Sequence, residues 1–113
     1  MSILGLERVV VVQYRSTIGI IKSVLESIHQ YKWLSASEMA VYSNIPYKRL
    51  MPRLDHMINI GLIEEREEVD SISNERKKVY VLTEKGQQVL FKLREFADYF
   101  AHLDIPLIYR ELF

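Results

Sequence analysis

At 113 residues, with 49% hydrophobic and 27% charged, the chain has the size of one domain and the means to bury a core; it is not a disordered tail. It has no cysteine, which excludes disulfides, cysteine-ligated zinc and a cysteine nucleophile, and points to a reducing, cytoplasmic setting. Its 15 basic and 15 acidic side chains cancel, so bulk positive charge does not drive any association.

The opening Met1–Arg8 has too few apolar residues before Glu7 and Arg8 for a signal peptide. Val9–Val12 is β-branched and predicts a short buried strand, with a helical continuation as the alternative; it is far shorter than the roughly 20 residues that span a bilayer. No membrane association is expected. A first helix is predicted from Ser16, its cap, to about Lys32, with Ile18, Ile21, Leu25 and Ile28 on the apolar face and Lys22, Glu26 and Gln30 opposite.

Ser35-Ala-Ser-Glu38 has the spacing of a capping box and opens a short second helix ending near Tyr42 or Ser43. Asn44 suits the following turn because it tolerates a left-handed backbone. A third helix is predicted from about Pro46 to Gly61. Tyr47, Leu50, Met51, Leu54, Met57 and Ile58 form its apolar face, and Lys48, Arg49, Pro52, Arg53 and His56 the opposite one. Pro52 lacks an amide hydrogen, so it implies either a kink or a later start.

Leu62–Glu67 and Val79–Thr83 read as two strands joined by the polar stretch 68–78, a wing. Thr83 is placed to cap a long last helix, about 84–103. Val89, Leu93, Phe96, Phe100 and Leu103 recur along it at spacings of four and three, a heptad seam suited to a second copy. Pro106 ends it, and an apolar tail fills 105–113. Trp33, Tyr31 and Tyr42 are expected to pack at the core edge where the first two helices meet, a ligand pocket towards the last helix being the alternative. The order helix, helix, turn, helix, hairpin, helix describes a winged helix-turn-helix, mainly α with a small β-hairpin wing. It forms one domain: an arm over 1–14, the winged portion over 15–83, a dimerisation helix over 84–104 and the tail.

Charge is uneven along the chain. Residues 1–63 hold seven basic side chains against four acidic, and residues 64–113 hold eight against eleven. The excess of positive charge thus travels with the third helix. Lys48, Arg49, Arg53 and His56 share a face from which guanidinium and ammonium groups can meet phosphates and base edges. Arg76, Lys77 and Lys78 of the wing can touch the backbone or minor groove of DNA, or pair with Glu64–Glu68 across the hairpin. The acidic run Glu64, Glu65, Glu67, Glu68 and Asp70 alternates between two faces of a strand and makes no metal cage. His29, His56 and His102 lack metal-ligand spacing. There is no Gly-rich phosphate loop and no nucleophile–base pair, so neither catalysis, a cofactor nor a metal is expected.

The segments Tyr14-Arg-Ser-Thr-Ile-Gly-Ile-Ile21, Ile45-Pro-Tyr-Lys-Arg-Leu50, Gly61-Leu-Ile63 and Tyr80-Val-Leu-Thr-Glu-Lys-Gly86 resemble the small dimeric winged-helix DNA-binding proteins of archaeal Sulfolobales. More distantly they resemble the MarR and PadR regulators. The resemblance covers about residues 14–100. It implies DNA contacts from Tyr47, Lys48, Arg49 and Arg53 and from Arg76–Lys78, and a dimer seam through Leu93, Phe96 and Phe100. The expected function is a homodimeric, double-stranded-DNA-binding transcription regulator. An architectural DNA binder and a protein-interaction winged helix are the alternatives. No small-molecule effector can be named from the residues.

Overall fold

A computed structural model describes residues 16–102. The strand expected at Val9–Val12, the seam's Leu103 and the tail over 105–113 lie outside the described residues. Four helices and a three-stranded antiparallel sheet follow in the order α1 (Thr17–Tyr31), β1 (Trp33–Leu34), α2 (Ala36–Ser43), α3 (Tyr47–Asn59), β2 (Ile63–Val69), β3 (Arg76–Leu82) and α4 (Glu84–His102).

Side-chain caps set three of the four helix starts. Ser16 Oγ accepts from the Gly19 amide at 2.9 Å and starts α1. The capping box of α2 is complete: the Ser35 amide donates to Glu38 Oε1 at 2.9 Å, and the Glu38 amide donates to Ser35 Oγ at 3.3 Å. The Ser35 amide pulls the Glu38 carboxyl below its ordinary value; burial opposes this, and the Ser35 hydroxyl and Lys77 add to it. A depressed folded-state pKa contributes stability above the unfolded carboxyl value and loses it as pH falls through the folded one. Ser35→Ala keeps the amide but removes the hydroxyl, which accepts from the Glu38 amide and donates to Glu38 Oε1 at 2.9 Å, and is expected to cost about 1 kcal/mol at neutral pH. That deficit narrows in acid, where Glu38 is protonated in both proteins; urea unfolding at the two pH values checks it.

α1 buries Ile20, Val24, Leu25 and Ile28. Ile18, expected on the apolar face, is instead 40% exposed: it lies on the same side as the buried Leu25 seven residues on, but in the first turn of α1, ahead of the first large buried side chain at Ile20. These residues pack with Leu34, Met39, Ile45, Leu50, Leu54, Met57, Leu62, Ile63, Tyr80 and Leu90 in one core. β1 is an element the hydrophobic pattern does not announce, since two residues carry no period. β3 defines it by pairing: Leu34 lies opposite Tyr80, both inward, and Trp33 opposite Val81.

The wing strands reach further towards the tip than their apolar ends imply. They pair from Ile63↔Leu82 to Val69↔Arg76, leaving residues 70–75 as the turn. Asp70 shapes that turn by accepting from the Ile72 amide, and Asn74 sits at a positive φ of 62°.

One junction ties three elements together. Gly61, at φ 82°, ends α3: its amide donates to the Ile58 carbonyl and that of Leu62 to the Met57 carbonyl, the paired bonds of a Schellman motif. Thr83 Oγ1 accepts from the Gly86 amide at 3.0 Å to start α4, and donates back to the Gly61 and Leu62 carbonyls. Lys85 Nζ donates to the Ile60 carbonyl at 2.6 Å, a cation on the negative end of α3.

Candidate nucleic-acid interface

α3 is held on three sides and presents the fourth. Asn44 adopts the left-handed conformation at φ 57°, and the Ile45 amide reaches back to the Ala40 carbonyl at 3.1 Å, so the chain turns sharply out of α2. Pro46 is the cap residue rather than the first helical one, with φ −56° and ψ 139° and no side-chain hydrogen bond. Its carbonyl accepts from the Arg49 and Leu50 amides. Leu50, Leu54 and Met57 then lock the inner side into the core.

The helix runs through Pro52 from Tyr47 to Asn59, so the later start is excluded. Pro52 is exposed, which spares the core the disturbance that proline brings to a helix. It leaves the Lys48 carbonyl without its usual amide donor one turn on.

Lys48, Arg49 and His56 are exposed beside Pro52, and Arg53 is half-exposed at the edge of the same surface. Among the described residues Lys48 and Arg53 make no ion pair. Asp55, also exposed, is the one carboxylate on α3. Tyr47, expected on the apolar face, is half-exposed because it precedes the first buried turn at Leu50. Burial is the largest cause that raises the Tyr80 hydroxyl above its ordinary value; Glu65 adds to it, Lys78 opposes, and Asp55 and Tyr47 of α3 add smaller contributions.

The wing cations are exposed but partnered. Arg76 meets Glu67 at 3.4 Å, Lys77 meets Glu38 of α2 at 3.2 Å, and Lys78 meets Glu65 at 3.3 Å. Glu65 is also the largest cause that raises Lys78 above the usual lysine value. Between Ile63 and Leu82 six acidic side chains outnumber four basic. The candidate interface is thus a positively charged helix beside a slightly acidic wing.

On α4, Gly86, Leu90 and Ala97 face inward. Arg94 fixes the helix to α1 through Glu26 Oε1 at 2.6 Å, and Phe91 meets His29 edge to face. Of the expected seam, Val89 and Leu93 are half-buried against the core, while Phe96 is 43% exposed and meets Phe100 edge to face at 4.6 Å. With Tyr99, Gln88, Lys92 and Glu95, the first three line an open apolar groove. Among the described residues no helix is long and apolar enough to cross a membrane, and no group of three or more His, Asp or Glu side chains is arranged to hold a metal ion.

A winged helix-turn-helix family model matches residues 14–100. The chain belongs to the winged helix-turn-helix family. It superimposes on Sso10a-2, a DNA-binding protein from Sulfolobus solfataricus, with a TM-score of 0.62 and 20% identity, covering 79% of this chain and 85% of that one. A PadR family transcription regulator from Clostridium difficile gives a TM-score of 0.68 at 17% identity, covering 82% and 99%. A cysteine-to-serine mutant of MarR from Escherichia coli gives 0.63 at 17%, covering 74% of this chain but only 60% of that one. No curated protein matches the sequence significantly. This is a winged-helix fold of the kind found in DNA-binding transcription regulators, as the sequence resemblance implied.

Proposed function

We propose that this winged-helix chain is a DNA-binding transcription regulator that acts as a homodimer. α3 enters the major groove, and the wing lies along the backbone or minor groove. The observation that carries the reading is the outward surface of α3, where Lys48, Arg49, Arg53 and His56 collect against the single carboxylate of Asp55. Lys48 and Arg49 stand near the helix N-terminus, the end that recognition helices bring to base edges. Arg53 and His56 follow at one-turn intervals. Zero net charge favours this reading over an architectural binder, which relies on excess positive charge and salt-dependent attraction. Titration of duplex DNA against the chain at low salt tests it, and absence of binding refutes it.

The wing's ion pairs set its contribution. Each wing cation must exchange a carboxylate for a phosphate when it meets DNA, so the wing adds little net attraction as it stands. Glu65→Gln with Glu67→Gln frees Lys78 and Arg76, and duplex affinity is expected to rise about 3- to 10-fold at low salt, with a steeper salt dependence. Unchanged affinity would mean that the wing does not touch the duplex.

Phe96 and the groove beside it supply the second copy's contact in this reading. Two such helices would place two copies of α3 about 34 Å apart, in successive major grooves of a palindromic site. Phe96→Glu puts a charge in that apolar contact. It is expected to shift the sedimenting species from dimer to monomer without unfolding it, since Phe96 is already 43% exposed.

A further inference from the structure

The helical period sorts the outward side chains of α3 into a ridge and a flank. Leu50, Leu54 and Met57 are buried, and the direction opposite to them is taken by Lys48, Pro52, Asp55 and Asn59, all exposed and spaced four, three and four residues apart. These four form the outermost ridge of the helix. Arg49, His56 and Arg53 stand on one flank of it, Arg53 furthest round and accordingly half-exposed. A helix laid in the major groove turns its ridge to the base edges and its flanks to the phosphates that wall the groove. The ridge carries one ammonium group, Lys48, and one carboxylate, Asp55.

The fold gives that carboxylate no cation. Intrahelical pairs form at spacings of three and four, and those positions hold Met51, Pro52, Ile58 and Asn59. Glu64, Glu65 and Glu67 of the wing each meet a basic side chain. Among the described residues Asp55 makes no ion pair. It also stands towards the negative C-terminal end of α3, and aspartate is a poor helix former. Helix stability therefore does not account for an acid at this position.

On a surface that meets a polyanion, an unpaired carboxylate is costly where it faces phosphate and useful only where it faces a hydrogen-bond donor. In the major groove the cytosine N4 amino group is a donor with no acceptor beside it on the same base. The adenine N6 amino group lies next to the N7 acceptor, guanine presents N7 and O6, and thymine presents O4 and a methyl group.

We infer that Asp55 determines specificity on the DNA-reading surface proposed above, an inference that rests on that reading. Its carboxylate accepts a hydrogen bond from the N4 amino group of one cytosine in each half-site and disfavours the other three bases. It repels phosphate as well, so binding out of register gains less than a neutral ridge would give it.

Selection from a random duplex pool, run in parallel on wild type, Asp55→Ala and Asp55→Asn, tests this. Wild type is expected to prefer cytosine at one position of each half-site by about 5- to 100-fold. Asp55→Ala should lose that preference and keep the rest of the half-site. Asp55→Asn should move the preference to adenine, whose N6 and N7 match a carboxamide. Both variants should bind nonspecific duplex about 2- to 5-fold more tightly at low salt, with melting curves at or above that of wild type. A wild type that selects no sequence would sink the reading of α3 and this inference with it. A palindrome recovered unchanged by Asp55→Ala would overturn the inference and leave that reading standing. So would an equal loss of preference at every position, which would mark a structural role.

Discussion

Gly86→Ala is expected to destabilise the fold by at least ~3 kcal/mol, lowering the melting temperature of a domain this size by roughly 12 °C or more. A Cβ built at Gly86 would lie 2.0 Å from the Leu62 carbonyl oxygen and 2.9 Å from its carbon. The obstacle is backbone, so no rotamer change relieves it. α4 cannot simply retreat, because the same Leu62 carbonyl accepts from the Thr83 amide and hydroxyl at 3.1 Å, and Thr83 Oγ1 caps the first turn of α4. Gly61→Ala is the informative comparison. A Cβ there meets only the Lys85 side chain, at 3.8 Å, so its cost is the strain of φ 82°, about 1 kcal/mol. Thermal or urea unfolding of the two variants should rank them clearly, and equal effects would contradict the packing described at the start of α4.

Replacing Lys48, Arg49 and Arg53 together by alanine is expected to lower duplex affinity about 100-fold or more at moderate salt. Each lost phosphate contact should make the dependence of log K on log salt shallower by about one, and each lost base contact should cost about 1–3 kcal/mol and relax discrimination at its base pair. The inner side of α3 keeps Leu50, Leu54 and Met57, so the variant should stay folded. A circular dichroism spectrum and melting curve near wild type separate loss of the interface from loss of the fold. Unchanged DNA affinity in a folded variant would instead favour a winged helix whose third helix serves a protein partner.

Local chemistry made much of the fold legible. The caps at Ser16, at Ser35 with Glu38, at Asn44 and at Gly61 each act within a few residues, so spacing alone exposes them. Contacts between distant residues were not legible. Lys85 reaches a carbonyl 25 residues away, Gly86 is small because Leu62 passes beside it, and Trp33–Leu34 is a strand only because β3 lies next to it. The same distinction runs through the interface. The basic composition of α3 and of the wing can be read from the chain. That Lys77 is taken by Glu38, on a different element, cannot; nor can the exposure of the Tyr31–Tyr42 stack, because aromatic content alone suggests burial. The spacing of α4 marked an apolar strip, but Gly86, Leu90 and Ala97 are the residues that face the core, a choice set by packing against distant elements.

The central claim is that the outward surface of α3, doubled by a second copy of the chain, reads duplex DNA. Selection of bound fragments from a random duplex pool at moderate salt tests it most directly. The account predicts enrichment of a palindrome whose half-sites lie about one helical turn apart, with enrichment lost in the Lys48, Arg49 and Arg53 alanine variant. A pool that stays random, from a folded chain that holds no duplex even at low salt, would contradict it.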